Sequence, residues 1–187
     1  MTRIPRRQFI TAAGGSLAAA WLLADPEHLR ATAEYVAGLG QGQAPLEVLT
    51  PAEAAVLDAA TAQIFPTDET PGAREARVVN FIDRSLAGWA RDQRKAMTGA
   101  VRELNARARK LDRRAASFDT LSPEQQQAVI AGLDKDRHES FNALRGATIT
   151  GMFANPEYGG NFEKQGWKVL GFVDQFSWVA PFGHYDR

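Results

Sequence analysis

Two matching helix starts constrain this chain more than any other feature. Thr50-Pro51-Ala52-Glu53 and Ser122-Pro123-Glu124-Gln125 each set a hydroxyl residue at the cap and a proline at the first helical position. An acid or amide at the third position can then bond back to the cap, while the proline's missing N–H costs nothing there. Leu121 is placed to act as a hydrophobic staple on the second start. Apolar residues follow at helical spacing: Ala55, Val56, Ala59, Ala60 and Ile64 run to the stop at Phe65-Pro66, and the second start predicts a helix to about Leu133.

Three further stretches carry the same period. From Ala76, the residues Val78, Val79, Ile82, Leu86 and Trp89 share a predicted core face, with Asp83 and Arg84 opposite. Residues 91–111 place Met97, Val101, Leu104 and Leu111 among many bases, and 138–153 place Phe141, Leu144, Ile149, Met152 and Phe153 on one side. No stretch alternates at period two for long enough to form a convincing strand. The expected fold is all-α, a compact helical domain of about five to six helices.

In front of this domain, residues 1–33 have an export-signal layout: Arg3, Arg6 and Arg7, then a charge-free apolar and Gly/Ala-rich run over 9–23. Arg6-Arg7-Gln8-Phe9-Ile10 matches the twin-arginine form, which addresses a route for proteins exported already folded. The run is short and weakly apolar for a membrane span. Small residues at Ala24 and at Ala31-Thr32-Ala33 offer cleavage points without a clean Ala-x-Ala, so an uncleaved anchor is the alternative. Residues 34–48, with Gly38, Gly40, Gly42 and Pro45, have linker composition. Residues 49–187 are expected to form the domain, with an aromatic tail of Phe176, Trp178, Phe182 and Tyr185 at its end.

The chain holds no cysteine, which removes disulfides, thiolate metal sites, the CxxCH haem attachment and a cysteine nucleophile together. His28, His138 and His184 are scattered, without the spacing that sets two imidazoles on one helical face. Gly38 to Gly42 resembles a phosphate loop in spacing alone, since no apolar strand precedes it and Pro45 interrupts any helix after it. Asp58, Asp68, Glu69 and Asp83 have no local nucleophile, base or metal partner. Sequence therefore assigns no catalytic, cofactor or metal residue.

The least ordinary stretch is Asn155-Pro156-Glu157-Tyr158-Gly159-Gly160-Asn161-Phe162, followed by Gly166-Trp167 and Gly171-Phe172. Pro156, Gly159 and Gly160 are expected to shape a turn, and Asn155 and Asn161 to satisfy exposed backbone around it. Tyr158, Phe162, Trp167 and Phe172 are expected to divide between core and a protein partner, since aromatics dominate both.

Together with the two capped starts and Phe65-Pro66-Thr67-Asp68, this string resembles the gluconate 2-dehydrogenase subunit 3 family from about Leu49 to Val173. The twin-arginine signal is also typical of that family. The resemblance implies a small, cofactor-free subunit of a periplasmic, membrane-associated dehydrogenase complex. Its large partner would be a flavoprotein of the glucose–methanol–choline type that holds FAD and oxidises a sugar, sugar acid or polyol. A cytochrome c subunit commonly takes the electrons, placing haem c in a third chain. The small subunit would stabilise the flavoprotein and escort it through twin-arginine export.

On this reading the partner interface comprises Asn155, Pro156, Tyr158, Gly159, Gly160, Asn161, Phe162, Trp167 and Phe172, and the export signal Arg6, Arg7 and Phe9. Two alternatives belong to other classes. One is a stand-alone periplasmic enzyme using carboxylates such as Asp68 and Glu69. The other is a membrane-surface module acting through the basic 91–114 stretch, whose bland counterpart is a solvated helix face with a basic end.

Overall fold

The computed structural model describes residues 45–174. The twin-arginine residues Arg6, Arg7 and Phe9, most of the 34–48 linker and the aromatic tail lie outside these described residues. Six α-helices and no strand occur within them: α1 (Pro51–Ile64), α2 (Val78–Ala87), α3 (Arg94–Leu111), α4 (Pro123–Lys135), α5 (Glu139–Phe153) and α6 (Gln165–Val169). The all-α architecture expected from the two helix starts is therefore the observed one.

Both starts form complete capping boxes. Glu53 N–H donates to Thr50 Oγ1 at 3.2 Å while Thr50 N–H donates to Glu53 Oε2 at 2.9 Å. Gln125 and Ser122 repeat the exchange at 3.3 and 3.0 Å. Leu121 is buried, but the staple expected of it lacks an apolar partner, because the fourth helical residue is Gln126, whose Nε2 donates to Leu121 O at 3.1 Å. His138 caps α5, its Nδ1 accepting Ser140 N–H at 3.2 Å. His138 thus serves to start a helix.

Helix α1 packs against α2, α3, α4 and α5. It buries Ala54, Val56, Leu57, Ala59, Ala60 and Thr61, so its burial extends well beyond one narrow stripe. The alanines let neighbouring helices approach closely, and Leu57, Ile82, Leu104, Leu133, Leu144 and Met152 fill the interior around it. Phe118, on a short 3₁₀ turn (Phe118–Thr120), is fully buried, and its N–H donates to Asn105 Oδ1 at 2.8 Å. Nothing in the apolar period marks that residue.

Three expectations about which residues face the core are corrected. Trp89 is 69% exposed, because α2 ends at Ala87 and the Gly88 turn breaks the period that would have carried the indole inward. Its ring instead lies over the rim at Phe81, 6.2 Å between centroids. Ile149 is 37% exposed, and its place inside is taken by Thr148, whose hydroxyl donates to Leu144 O at 2.7 Å and so enters the core satisfied.

Asp83, expected in solvent, is buried. Its carboxylate accepts three successive N–H groups, from Glu47 at 2.6 Å, Val48 at 3.0 Å and Leu49 at 2.8 Å. The last residues of the stretch read as linker are thus fastened to α2. A buried carboxylate without a cation is tolerable only with such a set of donors.

Candidate partner interface

Helix α5 ends at Phe153, where the last carbonyls of any α-helix lack intrahelical partners. Here a segment downstream supplies them. Asn161 N–H donates to Gly151 O at 2.8 Å, Asn161 Nδ2 donates to Ala154 O at 2.9 Å, and the Trp167 indole N–H donates to Phe153 O at 2.8 Å. Asn161 Oδ1 also accepts Gly166 N–H at 2.8 Å. One fully buried asparagine therefore ties the end of α5 to the start of α6.

The glycines follow from this closure. An added Cβ at Gly160 would land on Gly151 O and 2.9 Å from Phe81 Cβ, and one at Gly166 would land on Met152 O. Gly159 has φ +98 and lies over α2, where a Cβ would come within 2.8 Å of Arg84 Cδ. Asn161 itself adopts φ 44, a left-handed conformation that asparagine accepts more readily than most residues. Asn155 Oδ1 accepts Glu157 N–H at 3.1 Å and so starts the turn carrying Pro156 and Tyr158.

The string expected to face a partner thus divides. Gly160 and Asn161 are interior: the α5 carbonyls need an internal donor more than the turn needs solvation. Gly159, Pro156, Phe162 and Trp167 are half-buried, and Phe162 lies beneath the Arg77 guanidinium, 3.3 Å from carbon to ring centroid. Asn155, Tyr158 and Phe172 are exposed, Tyr158 at 55% and Phe172 at 46%. Leu170 at 63% and Val173 at 52% join them, two residues that periodicity could not single out because they follow the last short helix. Phe172 packs edge-on against Trp167, 5.2 Å between centroids, and Lys164 pairs with Asp174 at 2.7 Å.

The model of a family described as gluconate 2-dehydrogenase subunit 3 matches residues 51–174, from the first residue of α1 through every helix of the fold. The chain belongs to that family. No curated protein and no solved structure matches it. In this gluconate 2-dehydrogenase subunit 3 family member, the Gly/Asn/Trp string closes the end of α5 and leaves an apolar edge at Leu170, Phe172 and Val173, with Tyr158 exposed on the preceding turn.

Three of the carboxylates considered for catalysis, Asp58, Asp68 and Asp83, have structural partners. Asp68 accepts the Thr70 N–H at 2.8 Å and hydroxyl at 2.9 Å, and these bonds hold its carboxyl below the ordinary range. Asp58 pairs with Arg74 at 2.9 Å, yet burial outweighs that cation and raises its carboxyl above the ordinary value. Among the described residues no group of three His, Asp or Glu side chains could hold a metal ion, and no helix is long and apolar enough to cross a membrane.

Proposed function

We propose that this chain is a non-catalytic small subunit of a periplasmic, membrane-associated dehydrogenase complex. In it, the chain binds, stabilises and escorts a glucose–methanol–choline type flavoprotein through twin-arginine export. The flavin sits in the large subunit, which oxidises a sugar, sugar acid or polyol, and a cytochrome c subunit carries haem where one is present. The observation that carries this reading is the family match over all six helices, together with the exposed apolar side chains of Tyr158, Leu170 and Val173.

The physical content agrees with that division of labour. A strand–loop–helix flavin fingerprint needs a strand, and the described residues form none. Asp68 is tied into its own turn by the Thr70 N–H and hydroxyl, the bonding of a loop anchor. Export in a folded state makes sense for a subunit whose partner must first acquire FAD, and Arg6 and Arg7 are the address for it.

Deleting this subunit, or replacing Arg6 and Arg7 by Lys, is expected to leave the flavoprotein in the cytoplasm or unstable. Normal periplasmic flavoprotein activity after deletion overturns the proposal. Leu170→Ser with Phe172→Ser then addresses the surface: the folded variant should fail to copurify with the yellow partner, and undiminished copurification removes this edge from the interface.

A further inference from the structure

The structure separates the bases of α3 by what they do. The chain as a whole has a net charge of +0, yet residues 94–114 hold eight bases against two acids. Some are used internally. Arg94 Nε donates to Leu86 O at 2.8 Å, and Arg107 pairs with Glu103 at 2.7 Å and Asp136 at 2.8 Å. Arg109 reaches Ala116 O at 3.1 Å while staying exposed. Lys95, Arg102, Lys110, Arg113 and Arg114 are exposed and have no ion-pair partner among the described residues.

Their arrangement is regular. Lys95, Arg102 and Arg109 stand seven residues apart on the outward face of α3, so they rise about 10.5 Å from one to the next. Between them the same face shows Gly99 and Ala106, and open space surrounds Gly99. Lys110, Arg113 and Arg114 continue the exposed basic surface beyond Arg109 at the end of α3. Evenly spaced long bases along one helix face meet an extended sheet of anions better than a shaped partner.

From this we propose that the outward face of α3 seats the subunit directly on an anionic phospholipid bilayer. A protein interface centres on a buried aromatic or apolar anchor, and the row from Lys95 to Arg109 carries none. Single-stranded nucleic acid asks for stacking aromatics, also missing from this face. Long basic side chains, by contrast, can lay their stems on a surface while their charged ends reach phosphate. The inference does not depend on the flavoprotein reading, because the chain alone tests it.

The test is vesicle flotation of the full chain without its partner, comparing phosphatidylglycerol/phosphatidylcholine mixtures with pure phosphatidylcholine. Each base near the surface is expected to change partitioning about fivefold, so Lys95→Gln/Arg102→Gln/Arg109→Gln should bind anionic vesicles about 100-fold more weakly. High salt should reduce wild-type binding. All three side chains are exposed, and circular dichroism verifies that the variant folds. The N-terminal stretch with Arg3, Arg6 and Arg7 is common to wild type and variant, so the difference between the two isolates the α3 face. Equal flotation of wild type and triple variant on anionic vesicles overturns the proposal. So does a wild type that ignores anionic vesicles yet loses its dehydrogenase partner in the triple variant, an outcome that makes the face a protein interface.

Discussion

Asn161→Ala should be among the most destabilising single changes in this domain, although sequence alone places the residue in a surface turn. The substitution removes two side-chain hydrogen bonds, leaving Ala154 O and the buried Gly166 N–H without partners. Each unpaired group costs about 1–3 kcal/mol. Alanine at φ 44 adds about 1 kcal/mol relative to a residue that tolerates the left-handed region. The expected total is about 3–7 kcal/mol, which lowers the melting temperature of a domain this size by about 10–25 °C. Thermal and urea unfolding followed by circular dichroism measure it. Asn161→Asp sharpens the test: it keeps an acceptor for Gly166 N–H but turns a buried carboxylate toward Ala154 O, which raises its folded pKa above the unfolded value. Its deficit relative to wild type should therefore be smallest below about pH 4 and grow as the pH rises and the group must ionise. A drop under about 1 kcal/mol for the alanine variant, with no pH trend in the aspartate variant, refutes the closure argument.

Asp83→Leu should release residues 47–49, seen as faster amide exchange at Glu47, Val48 and Leu49, and cost about 2–4 kcal/mol by loss of a shared charged acceptor. Unchanged exchange at those amides would refute the clasp. Gly160→Ala and Gly166→Ala should each cost about 3 kcal/mol or prevent folding, because the new methyl meets a backbone carbonyl, whereas Gly99→Ala should stabilise by about 0.5–1 kcal/mol in open space. Urea midpoints compare the three. Glu75 faces some desolvation, but the Thr67 hydroxyl, the Gly72 N–H and the nearby Arg74 charge outweigh it and lower its carboxyl pKa. Its contribution is therefore present above about pH 4.5 and lost as the pH falls through the depressed value, so Gly72 amide protection should drop in acid in wild type and be weak at every pH in Glu75→Gln.

Local chemistry made much of the fold legible. The two capping boxes need only neighbours in sequence, and they form as written. The misread residues share a cause of a different kind. Asp83 is paired by backbone more than thirty positions earlier, Thr148 satisfies its own hydroxyl within the helix, and Asn161 serves carbonyls of α5. Apolar periodicity records which residues prefer to leave water; it does not record which polar residues have been given partners that let them follow. Trp89 failed for the complementary reason, since a period continues on paper past a Gly88 turn that ends it in space.

The same distinction bears on the partner surface. A Gly/Asn/aromatic string invites reading as a docking motif, but most of its demanding positions answer to the end of α5: Gly160 and Gly166 give room to carbonyls, Asn161 pairs one, and the Trp167 indole pairs another. Such positions would be required whatever the partner was. What the closure leaves exposed is better evidence of contact, and that remainder includes Tyr158 on the turn and Leu170 and Val173 beyond α6. Exposed apolar side chains gathered beside a rigidly tied segment can bury area on association without first being ordered, which is the condition under which a small edge contributes useful affinity. The closure of α5 thus holds a surface in place as well as completing a core.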